Sequence, residues 1–367
     1  MQGFPTELPL HGIGDVAAFA LFSTAIQSRS AKLGDVHALA HMDPPPLGIA
    51  ARLVGLNAEF NQNMLHREVS PFATEVEVRV IDWLGPLFGM RCGHFCSGST
   101  LANLTALWRA REAGAQCVIA SADAHISVAK AAHILGMPFR AVAVDVHGRL
   151  NRTQLGDVKE AAVVLTAGTT GRGVIDALEP VACRWMHVDA AWAGPLRLTR
   201  FSARLDGIEH ADSVAISAHK WFYQPKESAI ILFRSPDAQD AISFGGAYLA
   251  APNVGVQGSR GAAAVPLMAT FVALGKSGLA ALIERNMAHA EALAALIAAD
   301  PRFELKQQPE TAVLNWRMVN GSTDTVLPKL AGTSSRTQID GALWARQVAA
   351  NPNADIARIW AQIVSAT

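Results

Sequence analysis

The chain is short of the residues that would commit it to several common functional classes. Its four cysteines, Cys92, Cys96, Cys117 and Cys183, in 367 residues are too few for a disulfide framework and show no paired metal-ligand spacing. Reduced thiols and no metal centre are therefore expected. Twelve histidines are present, but none falls in a His-Glu-x-x-His pattern that would place two imidazoles on one helix face around zinc. Charge of one sign is not in excess either. With 31 basic against 31 acidic side chains the formal net charge is zero, and no Lys/Arg run offers a track for a nucleic-acid backbone. Long apolar runs are also missing: the stretch 262–275 is interrupted by Pro266 and stopped by Lys276, short of the roughly 20 residues of a spanning helix. The first ten residues lack the basic start and apolar centre of an export signal. These absences predict a cytoplasmic protein whose partners are small molecules, with neither nucleic acid nor membrane among them.

Half of the residues are hydrophobic, enough to bury a large core with a smaller domain beside it. Short apolar runs alternate with helical patterns through the middle of the chain, the signature of βαβ units, so the expected class is α/β with a mainly parallel sheet. The pattern predicts strands over 117–120, 141–144, 161–166, 185–188, 214–217 and 229–233, and helices over 100–111 and 126–135. Pro44-Pro45-Pro46 marks an extended segment. An N-terminal arm over 1–50, a large domain over 51–250 and a smaller C-terminal α+β domain over 251–367 follow from these boundaries. Residues 262–298 read as an alanine-rich helix, and after Gly332 only a terminal helix over 354–364 stands out.

Two segments carry most of the chemistry. His187-Val188-Asp189-Ala190-Ala191 ends one apolar strand on a carboxylate, and Ser217-Ala218-His219-Lys220-Trp221 ends the next on an amine. Such a pair can sit on opposite sides of one planar cofactor. A lysine can hold an aldehyde as a Schiff base, while an aspartate keeps a pyridine nitrogen protonated, which is the wiring for pyridoxal 5'-phosphate. Cys96-Ser97-Gly98-Ser99-Thr100 places small residues directly before a helix, a natural phosphate seat. His125 opens the helix after another strand, where a flat imidazole can stack on a ring, and 166–171 (Thr-Ala-Gly-Thr-Thr-Gly) ends a further strand at the same edge.

The order of these segments resembles the group II pyridoxal phosphate-dependent decarboxylases, which include glutamate, aromatic amino acid and archaeal tyrosine decarboxylases, with sphingosine phosphate lyase as a relative. The resemblance runs from about His41 to Arg317. It includes His41-Met42-Asp43-Pro44-Pro45, Ser70-Pro71-Phe72-Ala73-Thr74-Glu75, the Ser97 to Asn103 turn, Ala124-His125, Gly168-Thr169-Thr170-Gly171, Val188-Asp189-Ala190-Ala191 and His219-Lys220-Trp221. It implies the aspartate aminotransferase type of fold (fold type I) and the decarboxylation of an L-amino acid to its amine. By the same resemblance Lys220 carries the cofactor, Asp189 pairs with the ring nitrogen, and His125 stacks on the ring with Ala191 near the opposite face. Gly98, Ser99, Thr100, Thr169 and His219 contact the cofactor, and Ser259, in Gly258-Ser259-Arg260-Gly261, reaches the cofactor of a neighbouring subunit in a homodimer. Arg317 is implied near the substrate carboxylate, with His41 and Tyr248 as further substrate contacts. The chain departs from the larger decarboxylases in one respect. Of its two tyrosines, Tyr223 and Tyr248, only Tyr248 lies in the much shortened loop after the lysine, so the proton donor is open. A carbon-carbon lyase acting on a hydroxylated or phosphorylated amine, and a cofactor-binding protein without turnover, are the alternative readings. All four cysteines precede Lys220, which argues against a desulfurase.

Overall fold

The computed structural model describes residues 4–367; of the ten first residues read for an export signal, 1–3 lie outside the described residues. Helix α1 (Asp15–Arg29) has no buried side chain. The chain then runs in extended form, with Leu39, Ala40 and Met42 buried, to α2 (Gly48–Glu59). Helix α3 (Pro71–Leu84) begins with proline at its first turn, where the missing N–H costs nothing. Its Val76, Val80, Ile81 and Leu84 recur at helical spacing and are buried.

Strand β1 (Cys92–Cys96) precedes α4 (Ser99–Glu112), β2 (Cys117–Ser121), α5 (Ile126–Ile134), β3 (Phe139–Val142), β4 (Ala161–Thr166), β5 (Trp185–Asp189), β6 (Ser213–Ile216) and β7 (Ala229–Phe233). These strands form one seven-stranded sheet in the order β1-β7-β6-β5-β4-β2-β3. Only β7 runs antiparallel to its neighbours. Strands β4 and β5 are buried at every residue, as expected of parallel strands covered on both faces. Alternate side chains go to opposite faces: Ala162 and Val164 join α4 and α5 in one core, while Val163 and Leu165 join the larger core under α3.

A two-stranded ribbon, β8 (Ser243–Phe244) with β9 (Asn253–Val254), follows, and then the long α6 (Ala264–Ala299). Beyond it come β10 (Phe303–Leu305), β11 (Val313–Met318), the single turn α7 (Thr323–Val326), β12 (Ser335–Ile339), β13 (Ala342–Val348) and α8 (Ile356–Ala366). The second sheet is antiparallel in the order β10-β11-β13-β12. Helix α6 is not continuous, since Gly275 takes φ 65°, ψ 175°, a left-handed φ that suits glycine. It packs on α2 and α3 and also on α8 and the small sheet. By length and composition α6 could cross a membrane, which corrects the expectation drawn from 262–275. Here Leu279, Ile283, Met287, Leu293 and Ile297 are buried core residues.

Strands β4 and β7 match their predicted bounds. The strand expected at 141–144 instead lies at Phe139–Val142, because its parallel register with β2 starts at Val118 and Phe139. Val144 leaves it to bridge Leu150. Strand β1 went unread because it has no β-branched residue. Its Gly93 is required, since a Cβ there would come within 2.3 Å of the Ile231 carbonyl oxygen. Strands β12 and β13 fill the segment after Gly332 where sequence placed none.

Asn286 of α6 ties the two sheets. Its side-chain amide donates to the hydroxyl of buried Tyr223 at 2.8 Å and to the Ala350 carbonyl at 2.9 Å. Asn286→Ala strands both acceptors in the core and should destabilise the fold by about 2–3 kcal/mol in denaturant unfolding. Tyr223→Phe, which removes one of the partners, should cost about 1 kcal/mol.

Candidate active site

The carboxyl ends of β2, β4, β5 and β6 and the start of α4 converge on one cavity of about 220 Å³, lined by residues that include Gly98, Ser99, Thr100, His125, Asp189 and Lys220. This is the sheet edge where open α/β folds gather their ligands. Asp189 is the last residue of β5 and is 4% exposed. Its Oδ1 accepts the Ala191 N–H at 3.1 Å and its Oδ2 accepts the Asn103 amide at 2.9 Å. Lys220 follows β6 through a turn closed by its own N–H on the Ser217 carbonyl. Burial pulls the Lys220 amine below its usual pKa, with Lys226 and Arg346 adding to that direction and Asp189 and Asp43 opposing it. A depressed pKa leaves more of the amine neutral and nucleophilic near pH 7.

Helix α4 begins at this cavity with no side-chain cap on its N-terminus, so its first N–H groups and the positive end of its dipole are available to an anion. Ser99 donates to the Ser217 hydroxyl at 3.1 Å, and the Ser217 hydroxyl lies 3.1 Å from His219 Nε2. His219 Nδ1 lies 3.0 Å from the Ser228 carbonyl, to which it must donate. Burial, helped by Lys226 and Lys220, pulls the His219 pKa down to about 4. His219 is therefore neutral at pH 7 and offers hydrogen bonding without a charge. His125 caps α5 and lines the cavity. Trp192 lines it too and stacks on buried Trp221, with centroids 4.1 Å apart. Thr166 Oγ1, at the end of β4, is buried and has no partner among the described residues.

A cation also approaches from the small domain. Arg346 of β13 donates to the Thr170 carbonyl at 3.0 Å and, less directly, to the Ala40 carbonyl at 3.4 Å. Among the described residues no carboxylate pairs with Arg346, and burial lowers its pKa against the more distant pull of Asp43.

An amine facing a buried carboxylate beside an uncapped helix start is the arrangement of a family to which comparison also leads. The family model described as the pyridoxal-dependent decarboxylase conserved domain matches residues 48–319. The chain belongs to the pyridoxal-dependent decarboxylase family. It is 34% identical to an L-2,4-diaminobutyrate decarboxylase of Rhizobium meliloti (strain 1021), over 85% of this chain and 71% of the relative. It is 30% identical to an aspartate 1-decarboxylase of Aliivibrio fischeri, over 73% of this chain and 61% of the relative. Among solved structures, mouse CSAD superposes with a TM-score of 0.88 at 24% identity, covering 98% of this chain and 90% of that one, a likeness of fold. The architecture is fold type I, the cofactor is pyridoxal phosphate, and the reaction is decarboxylation of an amino acid.

The residues present fit that cofactor. The uncapped α4 start suits its phosphate, Asp189 its ring nitrogen, and the unpartnered Thr166 hydroxyl leaves one hydrogen-bonding group free at the cavity wall. Gly98, Ser99, Thr100, His125, Asp189, Ala191, His219 and Lys220, all named from sequence, meet in this pyridoxal decarboxylase cavity.

Five others do not. Thr169 is 1% exposed and its hydroxyl accepts the Val174 N–H at 3.3 Å inside its own loop, which leaves Thr166 and Thr170 at the cavity. Arg317 pairs with Glu304 at 2.6 Å and lies over the Trp344 ring. It occupies the same face of β11 as Asn315, but two residues, about 7 Å, farther from the site. Arg346, directly opposite Asn315, is the arginine that reaches the Thr170 carbonyl beside the cavity. The alternation of β13 was its only signal, hidden in a segment where sequence placed no strand. His41 is exposed, because its neighbours Ala40 and Met42 take the buried positions, and it lines a separate cavity of about 510 Å³ with Lys32 and Asp43. Tyr248 is 72% exposed, with its ring 6.3 Å from that of His66. Ser259 receives a hydrogen bond from Asn63 at 3.2 Å and lines a third cavity of about 470 Å³.

Borohydride reduction of the protein loaded with pyridoxal phosphate should fix the label on Lys220, as read by peptide mapping. Lys220→Ala should abolish the label and Lys226→Ala, at the exposed neighbouring amine, should retain it.

Proposed function

We propose that this protein decarboxylates a small L-amino acid as a cytoplasmic homodimer. Lys220 would hold the cofactor, Asp189 its ring nitrogen and Arg346 a carboxylate of the substrate. The observation that carries the reading is a buried carboxylate and a lysine depressed by burial at one cavity, with the Arg346 guanidinium bound to the carbonyl of Thr170, which lines it. When bound, pyridoxal phosphate supplies the electron sink for the pair left on the α carbon as carbon dioxide departs.

The protein's own groups do the rest. The first turn of α4 with Ser99, Thr100 and His219 anchors one end of the ligand. Asp189, held by Asn103 and the Ala191 N–H, keeps a negative charge at the other end without rotating away. Trp192, backed by Trp221, closes one wall against water, which strengthens every charge interaction inside. Arg346, fixed by the Thr170 carbonyl, fits a planar carboxylate at the mouth.

The names of the relatives, diaminobutyrate and aspartate decarboxylases, support a short polar substrate. The homodimer is supported by an apolar surface that a lone chain would leave in water: Phe19, Phe22 and Ile26 of α1, and Val54, Leu56 and nearby Phe60 at α2, are all exposed. The cytoplasmic assignment is supported by four free cysteines.

Carbon dioxide release from single L-amino acids tests the reaction. Arg346→Gln should lower kcat/KM at least about 10-fold, chiefly through KM, as expected for loss of a charged contact worth about 1.5–3 kcal/mol. Arg317→Gln should leave both constants close to wild type. Release by neither the wild type nor any variant, from any common amino acid, would remove the proposal. Sedimentation equilibrium should return twice the chain mass.

A further inference from the structure

Behind the candidate active site lies a chain of polar side chains sealed from water. Trp185 is 6% exposed, Ser127 2%, and Ser213, His187 and Asn103 0%. Trp185 Nε1 donates to Ser213 Oγ at 2.9 Å. Ser213 Oγ lies 2.9 Å from His187 Nδ1, and His187 Nε2 lies 3.0 Å from Asn103 Oδ1. The Asn103 amide nitrogen donates to Asp189 Oδ2 and to Ser127 Oγ, each at 2.9 Å. Ser127 Oγ lies 2.8 Å from His125 Nδ1, and the Ser127 N–H reaches the same nitrogen at 3.2 Å. The chain therefore begins at an indole and ends at the two groups that flank the ligand, Asp189 and His125.

Donor and acceptor roles along this chain can be followed outward from Asp189. An ionised carboxylate only accepts, so the Asn103 nitrogen must face Asp189 and its oxygen must face His187. His187 must then carry its proton on Nε2. Its Nδ1 then takes the Ser213 hydroxyl proton, at 2.9 Å, with Ser213 Oγ accepting from Trp185, while the Ser213 carbonyl lies 3.1 Å from the same Nδ1. Burial pulls the His187 pKa to about 4, consistent with a neutral ring. On the other arm, the Ser127 N–H donates to His125 Nδ1, which makes that nitrogen an acceptor, and Ser127 Oγ, accepting from Asn103, turns its own proton to the same Nδ1. His125 is left with its proton on Nε2, since its Nδ1 is taken by Ser127.

We propose that Asn103 is a positioning residue that ties the tautomer of His125 to the charge of Asp189. Within the reading of the site given above, on which this inference rests, the link keeps His125 a neutral Nε2–H ring whenever Asp189 is ionised. One face of the cavity then offers an N–H donor while the cavity end holds a negative charge, without a second titrating cation beside Lys220. The groups that act on His125 are Asp189 across the cavity, Lys220, and Lys130 on its own helix. Burial is the largest influence and lowers the His125 pKa.

Nitrogen-15 NMR of the cofactor-free protein with labelled histidine decides the matter, because it reads the tautomer without turnover. In the wild type, His125 should be the Nε2–H tautomer and should titrate below 6.5. Ser127→Ala and Asn103→Leu should each loosen the tautomer preference and move the His125 titration up toward 6.5, the ordinary value. In the loaded enzyme both variants should lose on the order of 10-fold or more in kcat, the size typical of lost supporting hydrogen bonds, with a smaller change in KM. If Asn103→Leu fails to fold, Ser127→Ala still answers, since it removes one hydroxyl and leaves the Asn103–Asp189 bond in place. An Nδ1–H tautomer in the wild type, or a tautomer and titration that neither variant changes, would overturn the inference. Wild-type protein that binds no pyridoxal phosphate would overturn the reading of the site instead, and the NMR result would stand apart from it.

Discussion

The structure turns on one costly arrangement, a buried carboxylate facing a partly buried amine across a small cavity. Both oxygens of Asp189, which is 4% exposed, accept an N–H, one from the backbone of Ala191 and one from Asn103, the compensation that a buried carboxylate requires. Lys220, whose amine burial depresses, needs Asp189 and Asp43 nearby to offset that loss. The parallel strands supply the rigidity this requires. Strands β4, β5 and β6 are buried throughout, so the turns at their carboxyl ends start from fixed positions. The charges stand where the sheet stops, and the helices on both faces hold the sheet in register.

The small domain is part of the same arrangement. Helix α6 bends at Gly275 and reaches from α2 and α3 to the second sheet, which presents β13 to the large domain. Arg346 crosses that junction to the Thr170 carbonyl, and Asn315 crosses it to the Gly171 carbonyl at 2.9 Å. The loop after β4 is thereby held by two side chains of the small sheet, and a movement of that sheet would reach the cavity directly. Nearer the start of α4, Gln257 brackets Ser97 with two hydrogen bonds, at 2.7 and 2.6 Å. Arg260 forms a bidentate pair with Glu77 at 2.7 and 2.6 Å. The segment around Ser259 therefore braces the turn that precedes α4.

Much of this was legible in the sequence, for identifiable reasons. Asp189 and Lys220 end apolar runs, so the strand pattern alone delivers them to one edge, and glycine with hydroxyl residues before α4 marks its start. What was lost was orientation. Whether Thr166, Thr169 or Thr170 faces the cavity depends on how one loop folds back, and the Thr169 hydroxyl turned to the Val174 N–H. Arg346 went unread because 335–348 was left without strands, which hid the cross-strand pairing of Asn315 with Arg346. His41, Tyr248 and Ser259 were carried over from the family's order of segments. In a single chain they line other surfaces, and order along a chain does not fix which surface a loop side chain meets. The polar chain from Trp185 to His125 had no sequence signal, because it joins residues of two strands and two helices.

The central claim is that these residues break the bond to a carboxylate and return a proton to the same carbon. Turnover of an L-amino acid in deuterium oxide, followed by mass spectrometry of carbon dioxide and amine, reads both events at once. The account predicts one carbon dioxide per amine formed and one solvent deuteron bound to the α carbon of that amine. An aldehyde product, or α-hydrogen exchange in a substrate that keeps its carboxylate, would contradict it.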